Sequence, residues 1–307
     1  MATSIFKSNF PGTQQLQAAA DTAAYIIGLD LHKKTVAICV IDPQIPDEPL
    51  FERKRLKNEE LLAVLHQFNG PKIVACESAY GWQQLASALA DKDDITFIPL
   101  NPRKTAAWIA TSGMKNDKID AQVLCAACLY GGIPRLAVYQ TSLRSRECVK
   151  LARYRDKLVQ QAASLQRQIT AFEREYGPNP YTGEVSQLSP IATHLQQDFR
   201  VARDTMKQRA IVIRDCIQQE SKGDPIIKIL QTIPGIGPII AFTLRHKLET
   251  IDRFENAAHL SSYIGLGVKQ RQSGEQIVHG KMTKAGDVLL RKLFVQGAQV
   301  IRSRQPH

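Results

Sequence analysis

The chain has 307 residues, with 40 Lys+Arg against 29 Asp+Glu and a formal net charge of +11. At ~150 residues per domain that length suggests two domains, and 44% hydrophobic with 22% charged residues excludes collagen-like, mucin-like and wholly disordered chains. No stretch approaches the ~18 uninterrupted apolar residues of a membrane span, residues 1–24 lack the apolar core of a signal peptide, and the six cysteines are scattered, so a soluble cytoplasmic protein with reduced thiols and no membrane partner is expected.

Residues 1–24 read as a flexible N-terminal tail. Tyr25 to Leu31, Thr35 to Ile41 and Leu50 to Leu56 then look extended, Asn58 to Phe68 helical, Lys72 to Glu77 a strand, and Gly81 to Asp91 a helix. Ile95 to Leu100 is a short apolar strand ending at Asn101-Pro102, and helical periodicity resumes over Arg103 to Ser112 and Asp117 to Tyr130. The order βββαβαβα predicts a mixed sheet with helices packed on it, one α/β domain over residues 25–140.

From Ser142 to Tyr176 apolar residues such as Leu151, Leu158, Ala162, Leu165, Ile169 and Phe172 recur at spacings of 3 and 4 and their multiples, which predicts a long amphipathic helix. A loop rich in Gly and Pro interrupts it, and a second stripe runs from Ile191 to Ile217. Residues 141–222 therefore form a helical hairpin or coiled coil, its stripe serving either an intramolecular core or a seam between subunits. Residues 223–307 read as a mostly helical third part, with Ile226 to Thr232, Pro238 to Leu248, Ala257 to Ile264 and Ala285 to Arg302 as helices. A basic, Gly-rich loop, Gly265 to Gly286, lies between the last two.

Charge is uneven along the chain: residues 1–143 hold 14 basic and 14 acidic side chains, 144–222 hold 14 and 9, and 223–307 hold 12 and 6. A neutral first part followed by two basic ones points to a polyanion, because phosphate backbones gain affinity by releasing counterions to Lys and Arg. Nucleic acid is the leading partner; the plainer alternative is that the charge serves solubility.

Asp30 closes the first strand and Glu77 the fourth, each an acid where an apolar strand gives out. If those strands are neighbours, their carboxylates stand ~4.8 Å apart, close enough to straddle one or two divalent cations. Asp117 and Asp120 lie three apart at a helix start and share a face. Four oxygen ligands suit hard cations such as Mg²⁺, and paired ions clamp the attacking and leaving oxygens of a phosphodiester. Taken singly, Asp117 also serves as an N-cap and Asp30 as a turn residue. Ile233-Pro234-Gly235-Ile236-Gly237 joins two predicted helices, and Gly235 and Gly237 leave backbone N–H groups available to a phosphate, though a plain interhelical turn reads the same way. Ser273-Gly274 sits among Lys269, Arg271, Lys281 and Lys284; a hydroxyl there could attack a phosphodiester, yet alone the pair reads as an ordinary turn. Cys125 and Cys128 read as buried small residues rather than zinc ligands, and no P-loop or Rossmann glycine pattern is present.

Gly28-Leu29-Asp30, Cys76-Glu77-Ser78-Ala79-Tyr80-Gly81, Asn116-Asp117-Lys118-Ile119-Asp120-Ala121, the Ile-Pro-Gly-Ile-Gly turn, Ser261-Ser262-Tyr263-Ile264-Gly265-Leu266, and Ser273-Gly274 with Thr283-Lys284-Ala285-Gly286 together resemble the DEDD transposases of the IS110 and IS1111 insertion sequences. That family includes the Piv-type DNA invertases, and the resemblance keeps motif order over about residues 25–302. It implies an RNase H-like (RuvC-like) first domain, a coiled-coil middle and a C-terminal transposase domain. Asp30, Glu77, Asp117 and Asp120 would be the metal-binding acids, for Mg²⁺ or Mn²⁺, and Ser273 the nucleophile that joins a DNA strand end. The resemblance further implies DNA partners (element ends and target), a structured non-coding RNA as guide, and a dimer or tetramer pairing one subunit's acidic domain with another's serine domain. It places the protein with the bacterial nucleoid. Relatives often continue past the position of His307, so a shortened copy is expected. The remaining alternatives are a Piv-like invertase, a RuvC-type nuclease using activated water, and an inactive nucleic-acid-binding remnant.

Overall fold

The computed structural model describes residues 13–304 apart from 112–116, 131–132, 185–186, 274–275 and 283–285. The chain divides into two compact units, Met1–Gln140 and Thr141–His307.

The first unit runs α1 (Thr13–Thr22), β1 (Tyr25–Leu31), β2 (Thr35–Ile41), β3 (Phe51–Lys57), a 3₁₀ turn (Asn58–Glu60), α2 (Leu61–Leu65), β4 (Lys72–Glu77), α3 (Trp82–Ala88), β5 (Ile95–Leu100), α4 (Pro102–Thr111), α5 (Asp117–Tyr130) and α6 (Ile133–Leu136). The five strands form one mixed sheet in the order β3-β2-β1-β4-β5. Strand β2 alone runs against the others, antiparallel to β1 and β3, while β1, β4 and β5 are parallel neighbours.

The sequences of β1, β2 and β4 (YIIGLDL, TVAICVI, KIVACE) are apolar on both sides because both faces of the sheet are covered. Alternation sends Ile26, Cys39, Ile73 and Ala75 to one face, against Leu124, Cys125 and Cys128 of α5. Ile27, Leu29, Val74 and Cys76 go to the other, against Leu61, Leu65 and Leu89. Leu16 of α1 joins the first of these layers and is 3% exposed. Residues 13–22 thus differ from the flexible tail expected of them, since burying one leucine contributes about 2 kcal/mol toward fixing that helix.

The second unit runs α7 (Leu143–Tyr176), α8 (Pro190–Glu220), α9 (Pro225–Gln231), α10 (Pro238–Leu248), α11 (Ala257–Ile264), β6 (Val268–Ser273), β7 (Gln276–Met282) and α12 (Val288–Arg304). Among the described residues of this unit five starts are capped by a side chain: Ser142 and Ser189 hydroxyls accept from Ser145 and Ala192 N–H, Asp224 accepts from Ile226 and Ile227, Asn256 from His259, and Asp287 from Leu289 and Leu290. Helices α7 and α8 pack antiparallel, because partners descend along one as they climb the other: Glu173 with Arg200, Gln166 with Arg203, Tyr154 with Arg209, Arg144 with Glu220. At one end of this hairpin Cys148, Ala152 and Ile217 share a core with Ile227, Phe242, Leu289 and Leu293, so residues on both sides of position 222 are packed together.

The stretch expected as a loop, residues 265–286, contains a two-stranded antiparallel hairpin, β6 with β7. Among the described residues no helix is long and apolar enough to cross a membrane.

Candidate functional site

Two of the four acids are brought together by strand register. Gly28 pairs with Ala75 and Leu29 with Cys76, so Asp30 and Glu77 stand one step further along the same parallel pair, at its carboxyl end. Both lie on the face that carries Ile26 and Ala75, the face α5 covers, and both are half-buried. Neighbouring strands are ~4.8 Å apart, which sets the spacing of the two side chains' origins. The structure records their joint field at Cys76, whose thiol is pushed well up, by burial first and then by the negative charges of Glu77 and Asp30.

Gly28 brings α5 onto this site. A Cβ there would stand 2.2 Å from the carbonyl oxygen of Ala121 and 3.0 Å from Cys125 Sγ. The missing side chain therefore lets α5 sit directly on β1, two residues before Asp30, with the half-buried Asp120 next to the contact. The Cys125 thiol, 3.3 Å from the Cys39 carbonyl and 3.6 Å from that of Ile26, fixes the same helix from the other side of its turn. Burial pushes Cys128 up to about 12, so this cysteine pair is core, as its apolar helix suggested.

Polar neighbours orient both strand acids. The Thr105 hydroxyl of α4, fully buried, donates to Glu77 Oε1. His32, beyond the end of β1, holds its Nε2 3.5 Å from Asp30 Oδ2. Asp117 opens α5, but its side chain lies outside the described residues. Among the described residues no group of three or more His, Cys, Asp or Glu side chains is gathered as a metal site would be. The donor chemistry nevertheless fits a hard divalent cation: two carboxylates on adjacent strands and a third on the covering helix offer oxygens alone.

Ser273 ends β6, where it pairs with Gln276 across the turn of the hairpin. Its side chain, those of Lys269, Arg271 and Lys281, and Lys284 as a whole lie outside the described residues. The base of the hairpin is explained by two glycines of the motifs around it. Gly265 caps α11 at φ +84, and a Cβ on Gly286 would lie 2.2 Å from the Gly265 nitrogen, so the chain leaves and re-enters the helical core through a backbone crossing that only glycines permit. Asp287 then caps α12, accepting from Leu289 and Leu290 N–H, while its other oxygen meets Arg153 of α7 and Lys247 of α10 at 2.8 and 3.0 Å.

The two glycines of the helix-joining turn have different duties. Gly235, at φ +81, has a packing reason: a Cβ there would stand 2.6 Å from the Gly297 carbonyl oxygen of α12. Gly237 caps α10, is exposed, and has nothing within 4 Å of where its Cβ would be. The backbone at Gly237 is thus open to an approaching anion, whereas Gly235 holds two backbones together.

His32, Thr105 and Asp287 escaped the sequence reading. His32 could have been noticed as the imidazole two residues past a strand-ending acid. Thr105 and Asp287 carry no sequence signal, because their partners come from elements far away in the chain.

Two family models match the chain, and the first extends past the first unit to take in α7. Residues 27–178 match the family model of a DEDD transposase of the IS110 type, and residues 227–307 match that of the IS116/IS110/IS902 transposases. The chain is 22% identical over 292 residues, 90% of it and 77% of the relative, to the transposase for insertion sequence element IS1111A of Coxiella burnetii. It is 24% identical over 293 residues, 90% of it and 83% of the relative, to a probable family 20 transposase of Pseudomonas aeruginosa. It is also 27% identical over 262 residues, 82% of it and 74% of the relative, to a pilin gene-inverting protein of Moraxella lacunata.

Proposed function

We propose that this chain, which belongs to the IS110-type DEDD transposases and is thereby a DNA transposase or recombinase, breaks and rejoins DNA with the acids around Asp30 and the hydroxyl of Ser273. The observation that carries the reading is the parallel register that sets Asp30 beside Glu77 under α5. The RNase H-like reading of the first unit is supported by its strand order, 3-2-1-4-5 with only the second strand reversed, and the coiled-coil reading by the antiparallel α7–α8 hairpin.

Asp30, Glu77, Asp117 and Asp120 would hold divalent cations, Mg²⁺ or Mn²⁺, which polarise the scissile phosphodiester when bound. Thr105 holds Glu77 by donating its hydroxyl to one carboxylate oxygen. Ser273 Oγ forms the new bond to phosphorus as one P–O bond of the DNA backbone breaks, and the hydroxyl proton goes to the departing sugar oxygen. The phosphoserine ester keeps the energy of the broken bond, and attack by another strand's free hydroxyl restores the serine, so no nucleotide triphosphate is consumed. The excess positive charge of residues 144–307 would hold DNA and a structured guide RNA by phosphate contacts, with Gly237, Lys269, Arg271, Lys281 and Lys284 among the contacts near the serine hairpin. A dimer or tetramer would bring one copy's acids to another copy's serine.

The test is covalent capture. Incubated with DNA carrying the element ends and Mg²⁺, the protein should yield a protein–DNA adduct that Ser273→Ala and Asp30→Asn both abolish. Cleavage that persists in Ser273→Ala without an adduct would instead establish a metal-activated water as the nucleophile.

A further inference from the structure

Behind the acid pair, on the opposite face of the sheet end, the first unit contains a cavity of about 250 Å³. It is framed by the two loops that follow the acids, with Leu31 and His32 after Asp30 and Tyr80 and Gly81 after Glu77. This is the place where open parallel sheets bind ligands, outside the carboxyl ends of the strands. The floor is hydrocarbon, from Leu61, Leu62 and Leu85. The rim is an aromatic ring, an imidazole, two amides and a cation: Tyr80, His32, Asn58, Gln84 and Lys33. Among the described residues no carboxylate lines it.

These features select a ligand class. The volume lies under the ~300 Å³ at which pockets for drug-sized ligands begin, so it suits one planar ring system rather than a nucleotide or peptide. An apolar floor with amide donors and acceptors at the edge matches a heterocycle with a polar rim. Tyr80 is 58% exposed and offers a ring on which a base can stack. Lys33 at the mouth suits the phosphate such a base would carry. His32 belongs both to this cavity and, at 3.5 Å, to Asp30, so its imidazole links an occupant to the acid pair across the sheet end.

We propose that this cavity receives a single unpaired DNA base, extruded next to the phosphate on which the acids act. The inference rests on the reading of Asp30 and Glu77 as a phosphodiester site. Extruding a base unstacks the duplex at the point of cleavage and gives the protein a fixed register on the strand, which phosphate contacts alone do not supply.

The test uses the full chain and element-end DNA in which 2-aminopurine replaces each base in turn near the cleaved phosphate. One position should change its fluorescence on binding, and Tyr80→Ala should weaken the complex roughly 5- to 150-fold while Tyr80→Phe, which keeps the ring, retains it. Asp30→Asn should abolish cleavage yet keep the fluorescence change. If no position responds, or if Tyr80→Ala behaves as the parent, the base pocket is overturned while the acid site stands. A response only from 2-aminopurine placed in an RNA strand overturns the DNA assignment. Normal cleavage by Asp30→Asn overturns the acid site itself, whatever the fluorescence does.

Discussion

The two units use charge in opposite ways. The first, residues 1–140, is electrically neutral and holds its notable acids half-buried at the end of an apolar sheet, where each has a defined neighbour. The second carries the whole excess of +11, spread over helices whose cations mostly meet solvent or exposed partners. A few carboxylates placed by register can do chemistry, because position decides what a reacting group does. Many cations placed on a surface can hold a polyanion, because long-range attraction and counterion release need number rather than geometry. Substitutions in the first unit should therefore act through single positions, and those in the second through sums.

The sharpest break of this comparison is at the acids. Asp30→Asn or Glu77→Gln keeps the shape of each side chain and removes its charge, so the fold should persist while strand cleavage falls by roughly 10³-fold or more, the loss of several kcal/mol of transition-state stabilisation. Cleavage assays alongside circular dichroism check this. Chelation of divalent cations should reproduce the loss in the parent protein, and no such drop should follow from neutralising Lys207 or any single arginine on α8.

The second unit has a buried histidine, His246, that ought to behave like a first-unit position. It is 5% exposed, edge-on to Phe242 at 4.6 Å, with Nδ1 3.4 Å from the Ser145 hydroxyl. Burial, and then the positive charge of Arg245, push it down to about 4, against the partial opposition of Asp224. The unfolded chain, whose histidine titrates near 6.5, then takes up the proton first. Stability is full above that pH and is lost as pH falls toward 4, by up to about 3 kcal/mol from this residue. Thermal unfolding of the parent and of His246→Gln at pH 7 and pH 4 tests it: the variant should lose less on acidification.

Gly28→Ala should show how the acid site is held. Its Cβ would meet the Ala121 carbonyl at 2.2 Å, backbone against backbone, so α5 must lift off β1. Overpacking of this kind costs about 1–3 kcal/mol, and it moves Asp120 as well. A lowered melting temperature together with reduced cleavage is expected. Gly237→Ala, facing open space in the second unit, should leave the melting temperature unchanged.

How much of this was legible in the sequence follows from the same contrast. Strands β1, β2, β4 and β5 announce themselves because a sheet covered on both faces demands continuous apolar runs, and their ends place Asp30 and Glu77 correctly. That β1 and β4 are neighbours is a tertiary fact, so the sequence could state the adjacency of the acids only as a condition. Long helices with spacings of 3 and 4 were equally visible, although the hydroxyl cap that Ser142 supplies to α7 is seen only in the structure. The hairpin β6–β7 was not, since VKQRQS and QIVHGKM lack the apolar alternation of a half-buried strand. Helix α1 hides for a related reason: one large apolar side chain, Leu16, anchors a segment of polar residues and alanines. The cavity beside Tyr80 is assembled from α2, α3 and the segments that follow Asp30 and Glu77, which no local pattern brings together.

The smallest predicted effect concerns the pairing of surface charge in the second unit. Arg200 and Glu173 bridge α8 and α7 at 3.0 Å, but their side chains are 49% and 47% exposed. Water screens such a pair, and fixing two long side chains offsets much of the attraction, so a double-mutant cycle with Arg200→Ala and Glu173→Ala should give a coupling under about 1 kcal/mol that vanishes in ~1 M salt. Asp287, 10% exposed between Arg153 and Lys247 while it caps α12, should couple more strongly by the same measure. A weak first coupling means that cations such as Arg200 give up their carboxylate at little cost when a phosphate arrives. A strong one would tie up the very charges on which the second unit's attraction for a polyanion depends.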